Sequence, residues 1–185
     1  VGTYMVYIMV KTPNVEEFYG SAEITIFKNP SPTTDLPSYF EIEYLARPIL
    51  DSEIPVTTIH DGYPVFSYYA QNKSGTWVYT SNPMDLGDYK VTISYKETRN
   101  CSPVTVSADF KIIPRKIDIE YDKELEYNGQ IRIPTFTVIS HTHEVIEIKT
   151  TVMHGVTPIE IGDYELAATL LYPNPNYELR LEDYM

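Results

Sequence analysis

Hydrophobic and polar residues alternate along most of the chain with the period of two that is typical of β-strands. The alternating segments are 4–10, 22–27, 40–45, 65–69, 90–95, 104–112, 117–121, 135–139, 165–171 and 177–181. Turn-forming residues separate them, for example Asn72-Lys73-Ser74-Gly75 and Asn128-Gly129. Short strands at such intervals predict an all-β protein built from antiparallel sandwiches.

One motif repeats within the chain. Gly-x-Tyr followed by an apolar strand occurs three times, at Gly2 and Tyr4, at Gly87 and Tyr89, and at Gly162 and Tyr164. Downstream of the first two copies, Ser21-Ala22-Glu23-Ile24 matches Ser107-Ala108-Asp109-Phe110. A register kept over several strands indicates an internal repeat of module size.

The motif has a mechanical interpretation. The glycine supplies backbone freedom at a corner, and the tyrosine two residues later returns its hydroxyl to the backbone of that corner. This is the tyrosine corner of immunoglobulin-like sandwiches. We therefore expect the hydroxyls of Tyr89 and Tyr164 to be largely buried and bonded to the backbone a few residues upstream.

The repeat divides the chain into three parts. Residues 1–29 are predicted to be the terminal hairpin of a preceding repeat, and 30–113 and 114–185 to be two tandem Ig-like sandwiches. Residues 30–59, rich in proline and acidic side chains, are interpreted as an insertion. A lone hairpin exposes an apolar face and a free edge. We expect it to pack on the strand-like part of the insertion, around 33–50, or to form a strand-exchanged dimer.

The order of the motifs resembles the tandem Ig-like repeats of microbial cell-surface adhesins. The segments that carry the resemblance are 112–119, Tyr127-Asn128-Gly129, 134–138, 161–164 and Asn174-Pro175-Asn176-Tyr177. The resemblance implies a secreted or surface-anchored protein at the cell surface, acting as a non-catalytic stalk or spacer. Its partners would be neighbouring repeats and a protein or glycan ligand. The alternative is a glycan-binding accessory module of a polysaccharide-degrading system.

Charge and composition exclude other classes. The chain has 26 acidic and 14 basic side chains and a net charge of −12, so it lacks the basic face that nucleic acid requires. The sequence contains no run of about 18 apolar residues, so it does not predict membrane insertion of this segment. The single cysteine, Cys101, excludes an intrachain disulfide.

Candidate chemistry is sparse. His141 and His143, in a His-Thr-His sequence, could ligate zinc with Glu144, Glu147 or His154, or could simply lie in a polar loop. Acidic residues after Pro114, namely Asp118, Glu120, Asp122 and Glu124, could hold calcium or could be a solvated strand face. Because no catalytic motif is present, we predict neither an enzyme nor a cofactor.

Aromatic residues flank the turn at 72–75. Tyr68, Trp77 and Tyr79 form a candidate platform for a sugar ring or a partner protein if they are exposed on one face. Cross-strand packing on the surface of the sandwich is the structural alternative.

Overall fold

Strands dominate the secondary structure, which a computed structural model describes for residues 1–11, 13–14, 16–121, 124–139, 142–155 and 157–179. The strands are β1 (Gly2–Val10), β2 (Phe18–Ile26), β3 (Thr34–Asp35), β4 (Tyr39–Glu43), β5 (Thr57–Thr58), β6 (Pro64–Gln71), β7 (Trp77–Thr80), β8 (Gly87–Tyr95), β9 (Val104–Ile113), β10 (Arg115–Tyr121), β11 (Phe136–Ile139), β12 (Ile148–Val152), β13 (Leu166–Leu170) and β14 (Tyr177–Leu179). Short 3-10 turns lie at Asp51–Glu53 and Met153–Gly155. The prediction of an all-β protein without a disulfide is confirmed.

The largest sheet has five strands in the order β4-β9-β8-β6-β7. Alternation determines its two faces, because every second residue of β8 is buried from Tyr89 to Tyr95, while the residues between them are only partly covered. The buried side chains of β8 and β9 form the centre of the hydrophobic core, with Val91 and Ile93 fully buried and Phe110 and Ile112 almost so. This inner face needs a cover.

Residues 44–60 supply that cover. Tyr44, Ile49 and Ile54 are buried in the same core cluster, and the Ile49 amide donates to the Pro83 carbonyl at 2.9 Å. The strand before them, β4, pairs with β9 over the register Tyr39↔Asp109 to Glu43↔Ile113. Residues 30–59 are therefore an integral part of the sheet and of its core, and their interpretation as an insertion that packs on the hairpin is wrong.

Two of the strand pairs are parallel, in contrast to the purely antiparallel arrangement expected. β4 runs parallel to β9, and β10 runs parallel to β14 over Arg115↔Tyr177 to Ile117↔Leu179. In each case an early strand of its region pairs with the last described strand of that region. The remaining sheets are β11-β10-β14, β12-β13, β3-β5 and the hairpin β1-β2, and their other pairs are antiparallel.

The hairpin β1-β2 pairs only with itself among the described strands. Its base is attached to the β8-β9 loop: the Asn29 amide donates to the Asn100 carbonyl at 2.8 Å, and the Ser102 amide donates to the Asn29 carbonyl at 3.0 Å. The terminal amine of Val1 donates to Asn100 Oδ1, and Lys28 forms an ion pair with Glu97. Loop contacts therefore attach the hairpin at one end and leave most of its side chains exposed.

Candidate interaction surface

The outer face of the five-stranded sheet is polar at its centre and aromatic at the β7 edge. Tyr69 of β6 lies opposite Tyr79, and Gln71 lies opposite Trp77. Tyr69, Trp77 and Tyr79 therefore share this outer face, and we call them the aromatic edge. Tyr79 is 65% exposed, and Tyr69 and Trp77 are half-buried.

The aromatic edge is not a flat platform. The rings of Tyr69 and Tyr79 meet edge to face, with centroids 6.0 Å apart and planes at 79°. Lys90 of β8 places its Nζ 4.9 Å from the centre of the Trp77 ring, and the same ammonium lies 3.5 Å from a carboxylate oxygen of Asp109. A cation over an aromatic face is attracted to the ring electrons. The Lys90 ammonium therefore covers one face of the Trp77 ring.

Tyr68 does not belong to this surface, and its prediction as an exposed binding residue is wrong. It is 6% exposed, packs edge to face on Phe110, and donates its hydroxyl to Asp51 Oδ1 at 2.7 Å. Burial, followed by the hydrogen bond to Asp51, raises the pKa of Tyr68. Tyr68 faces the core because alternation places it opposite Thr80, on the other side of the sheet from Tyr69.

The loop between β6 and β7 determines this register. Asn72 Oδ1 accepts hydrogen bonds from the amides of Ser74 at 3.0 Å and Thr76 at 2.9 Å, and Gly75 has a φ of 80°. This loop brings Gln71 opposite Trp77. Tyr69 and Gln71 are two residues apart, so they lie on the same face of β6, and Gln71 lies opposite Trp77. This spacing is the sequence signal that could have assigned Tyr69 to the same face as Trp77.

The Gly-x-Tyr motifs differ in their surroundings. Tyr89 is buried and donates its hydroxyl to the Asp85 carbonyl at 2.8 Å. Tyr164 donates to the Glu160 carbonyl at the same distance but is only half-buried. Tyr4 lies in β1 and is 47% exposed.

The glycines of the first two copies share one conformation. Gly2 has a φ of 153° and Gly87 a φ of 150°, in the region that favours glycine. Gly162 is not among the glycines with positive φ. The first two copies therefore resemble each other more closely in backbone than either resembles the third.

The predicted histidine site receives no support. His141 lies outside the described residues, and His143 is exposed in the segment before β12. His154 instead contacts a carboxylate oxygen of Glu165 at 3.0 Å. Among the described residues, the group whose ligand atoms lie close enough together for a metal is His60, Asp61 and Cys101, all within 4.8 Å.

Hydrogen bonds already occupy that group. The Gly62 amide donates to His60 Nδ1 at 2.9 Å, so Nε2 carries the proton and donates to the Ser102 carbonyl at 3.1 Å. With both ring nitrogens engaged, His60 has no lone pair left for a metal. His60 and Asp61 instead join the 60–62 turn to the β8-β9 loop.

Asp61 holds the β8-β9 loop in shape. It accepts hydrogen bonds from the Thr98 hydroxyl and from Asn100 Nδ2, and these hold the pKa of Asp61 below its usual value. The same loop carries the Asn100 carbonyl that receives the Asn29 amide. We call Asp61 and residues 97–102 the loop latch.

A second cluster joins the two main regions of the chain. Tyr44 packs edge to face on Tyr177 with ring centroids 5.6 Å apart, and both hydroxyls donate to the carboxylate of Glu144. Arg115 Nη1 donates to the Tyr44 carbonyl at 3.4 Å. Burial, together with the bond to Glu144, raises the pKa of Tyr177 to about 12. We call Tyr44, Glu144 and Tyr177 the joint cluster.

A cleft of about 1130 Å³ lies between β10-β11 and residues 158–168. Its lining includes apolar side chains such as Ile119, Phe136 and Leu166, together with Tyr164 of the third corner. The core of the second region is therefore less closely covered than that of the first.

Comparison with protein-family models, curated proteins and solved structures finds no match. Within the described part of the chain, no helix has the length and apolarity needed to cross a membrane.

Proposed function

We propose that this chain is a non-catalytic segment of a tandem array of Ig-like β-sandwich modules. In this proposal, 1–29 is the terminal hairpin of one repeat, and 30–113 and 114–185 are two further modules. The segment acts as a stalk or spacer in a secreted or surface-anchored adhesin. The parallel pairings β4-β9 and β10-β14 support a repeated module, because each joins an early strand to the last strand of its unit.

The observation that carries the proposal is the joint between the two regions. A single residue, Pro114, separates β9 from β10. The hydrophobic cluster that contains Val91 and Phe110 also contains Ile117 and Tyr177 beyond the joint. A short, packed joint resists bending, and resistance to bending is what a spacer needs.

Distance measurements between spin labels test the stiffness of the joint. Labels are placed at exposed positions Thr105 and Thr169, each changed to cysteine in a Cys101→Ala background. If the segment is a stalk, the doubly labelled chain should give a narrow distance distribution. The same labels in Tyr44→Ala should give a broader one. A broad distribution in the starting chain would contradict the spacer role.

Mechanical unfolding tests the modular organisation. Pulled from both ends, the chain should unfold in separate events, each releasing on the order of 25 nm of contour length. One event that releases the whole chain at once would contradict independent modules.

The alternative function is glycan binding at the aromatic edge, supported by the exposure of Tyr79 beside Trp77. The edge-to-face rings and the Lys90 ammonium leave little flat surface for a sugar. Affinity-gel retardation by polysaccharides that is lost in Trp77→Ala and kept in Tyr63→Ala would favour this function. Tyr63 is a suitable control because it is 94% exposed and lies just before β6.

A further inference from the structure

Asparagine side chains form the same hydrogen bond in four different turns. In each turn the side-chain oxygen Oδ1 accepts the backbone amide two residues further along the chain at 3.0 Å, which makes an Asx turn. The four asparagines are Asn29, Asn72, Asn128 and Asn174. Because this bond spans the residue in between, it holds the side-chain carbon Cγ beside the backbone nitrogen of that residue.

The four turns differ in the residue that follows the asparagine. Proline follows Asn29 and Asn174, and a proline nitrogen has no hydrogen to lose. Lysine follows Asn72, and its side chain crowds the nitrogen next to it. Glycine follows Asn128. Among these four turns, the one at Asn128 alone therefore combines an N–H with a residue that has no side chain.

The turn at Asn128 is open to water. Asn128, Gly129 and Gln130 are all exposed. Gly129 has a φ of 74°, in the region that favours glycine, and a Cβ built on it would approach only the Tyr127 hydroxyl, at 4.0 Å. Solvent therefore reaches both the side-chain amide of Asn128 and the nitrogen of Gly129.

We infer that Asn128 is a site of spontaneous deamidation in the folded protein, with water as the co-reactant. The Gly129 nitrogen gives its proton to a solvent base and forms a bond to Cγ of Asn128. The Cγ–Nδ2 bond then breaks, and ammonia leaves with the electron pair of that bond and a proton from the solvent. Negative charge develops on Oδ1 before the bond breaks, and the Gln130 amide already donates to this oxygen.

The five-membered imide that results takes up one water molecule. Opening at Cγ gives aspartate, whereas opening at the main-chain carbonyl carbon gives isoaspartate, whose backbone is longer by one methylene group. Either product carries one more negative charge than the asparagine. Tyr127 and Arg132, on the two sides of this turn, line the cleft of the second region. The reaction therefore changes the charge next to one wall of the cleft.

Incubation of the folded full chain at mildly alkaline pH tests the inference, with peptide mapping by mass spectrometry as the measurement. The peptide that contains Asn128 should gain the mass difference between a hydroxyl and an amino group, and it should separate into aspartate and isoaspartate forms. Hydroxylamine, which cleaves the imide, should split the chain between Asn128 and Gly129. Gly129→Ala should lose most of both reactions.

Lys73→Gly is the matched variant that should gain the reaction. It places glycine after Asn72 in a turn whose Oδ1 bond has the same length as that of Asn128. A second deamidation site at Asn72 is the expected result. Circular dichroism and Trp77 fluorescence establish that both variants fold.

The outcomes separate the role of the turn from that of the sequence. Reaction at Asn128 that is lost in Gly129→Ala and gained at Asn72 in Lys73→Gly supports the inference. Faster reaction at Asn72 than at Asn128 in the unaltered chain would overturn it, as would no reaction at Asn72 in Lys73→Gly. An Asn128 that stays intact in the folded chain but reacts in guanidinium chloride would also overturn it, because the turn would then protect the asparagine. Deamidation at Asn128 is independent of the stalk role.

Discussion

Tyr44 and Tyr177 share one carboxylate: each donates its hydroxyl to a different oxygen of Glu144, while their rings pack edge to face. Tyr44 follows β4 of the large sheet, and Tyr177 begins the last described strand. This contact couples the two regions of the chain, so its loss should destabilise both regions.

The joint cluster predicts a loss of stability at alkaline pH. The folded pKa of Tyr177 is about 12, against 10.0 for an ordinary tyrosine. The contribution of the Tyr177 hydroxyl to the free energy of unfolding is complete below pH 10. It is lost as pH rises towards 12, because the tyrosine of the unfolded chain releases its proton at lower pH than the folded one. Tyr177→Phe should therefore weaken the dependence of the melting temperature on pH between 9 and 11. An unchanged pH dependence would contradict the role of the cluster.

The tyrosine corners predict a graded response to removal of the hydroxyl. Tyr89→Phe should lower the free energy of unfolding by on the order of 1 kcal/mol, as for a typical buried hydrogen bond. Tyr164→Phe should cost less, because Tyr164 is half-buried and water can replace its hydroxyl. Urea denaturation measures both, with exposed Tyr63→Phe as a neutral control. Equal costs at the two corners would show that burial does not control the effect.

The corner glycines form a matched pair for backbone strain. A Cβ at Gly87 or at Gly162 would meet no atom within 4 Å, so sterics do not distinguish them. Gly87 has a φ of 150°, whereas Gly162 does not lie in the positive region. Gly87→Ala should cost roughly 1–3 kcal/mol of unfolding free energy, and Gly162→Ala should be close to neutral. Thermal unfolding of the two variants checks this difference.

The loop latch predicts loosening of the hairpin base at acid pH. The folded pKa of Asp61 lies below its usual 3.8. The contribution of the Asp61 carboxylate to stability is present above pH 4 and is lost as pH falls through the folded pKa of Asp61. At neutral pH, Asp61→Ala should speed hydrogen exchange of the amides of Asn29 and Ser102, while Asp163→Ala, at an exposed position before β13, should not. Unchanged exchange in Asp61→Ala would mean that the loop holds its shape without the carboxylate.

Alternation alone predicted most of the described strands of this protein, although the alternating segments leave out β3, β5, β7 and β12. The period-two segments at 4–10, 90–95, 104–112 and 177–181 overlap β1, β8, β9 and β14, because a half-buried strand must alternate its side chains. The repeat of Gly-x-Tyr, with its matching segments at Ser21–Ile24 and Ser107–Phe110, also anticipated the shared pairing in which Tyr4 lies opposite Ile24 and Tyr89 lies opposite Phe110. Local pattern carries this information.

Only the tertiary structure decided which strands meet and which faces are buried. The segment 39–43 is recognisable as a strand, but its parallel pairing with β9 depends on residues far away in sequence. Tyr68 and Tyr69 are neighbours with the same chemistry, and the register of β6 against β7 places Tyr69 with Trp77 and Tyr68 in the core. The joint cluster likewise unites residues from distant segments. Pairing partner, register and burial are properties of the packed chain, and local alternation specifies none of them.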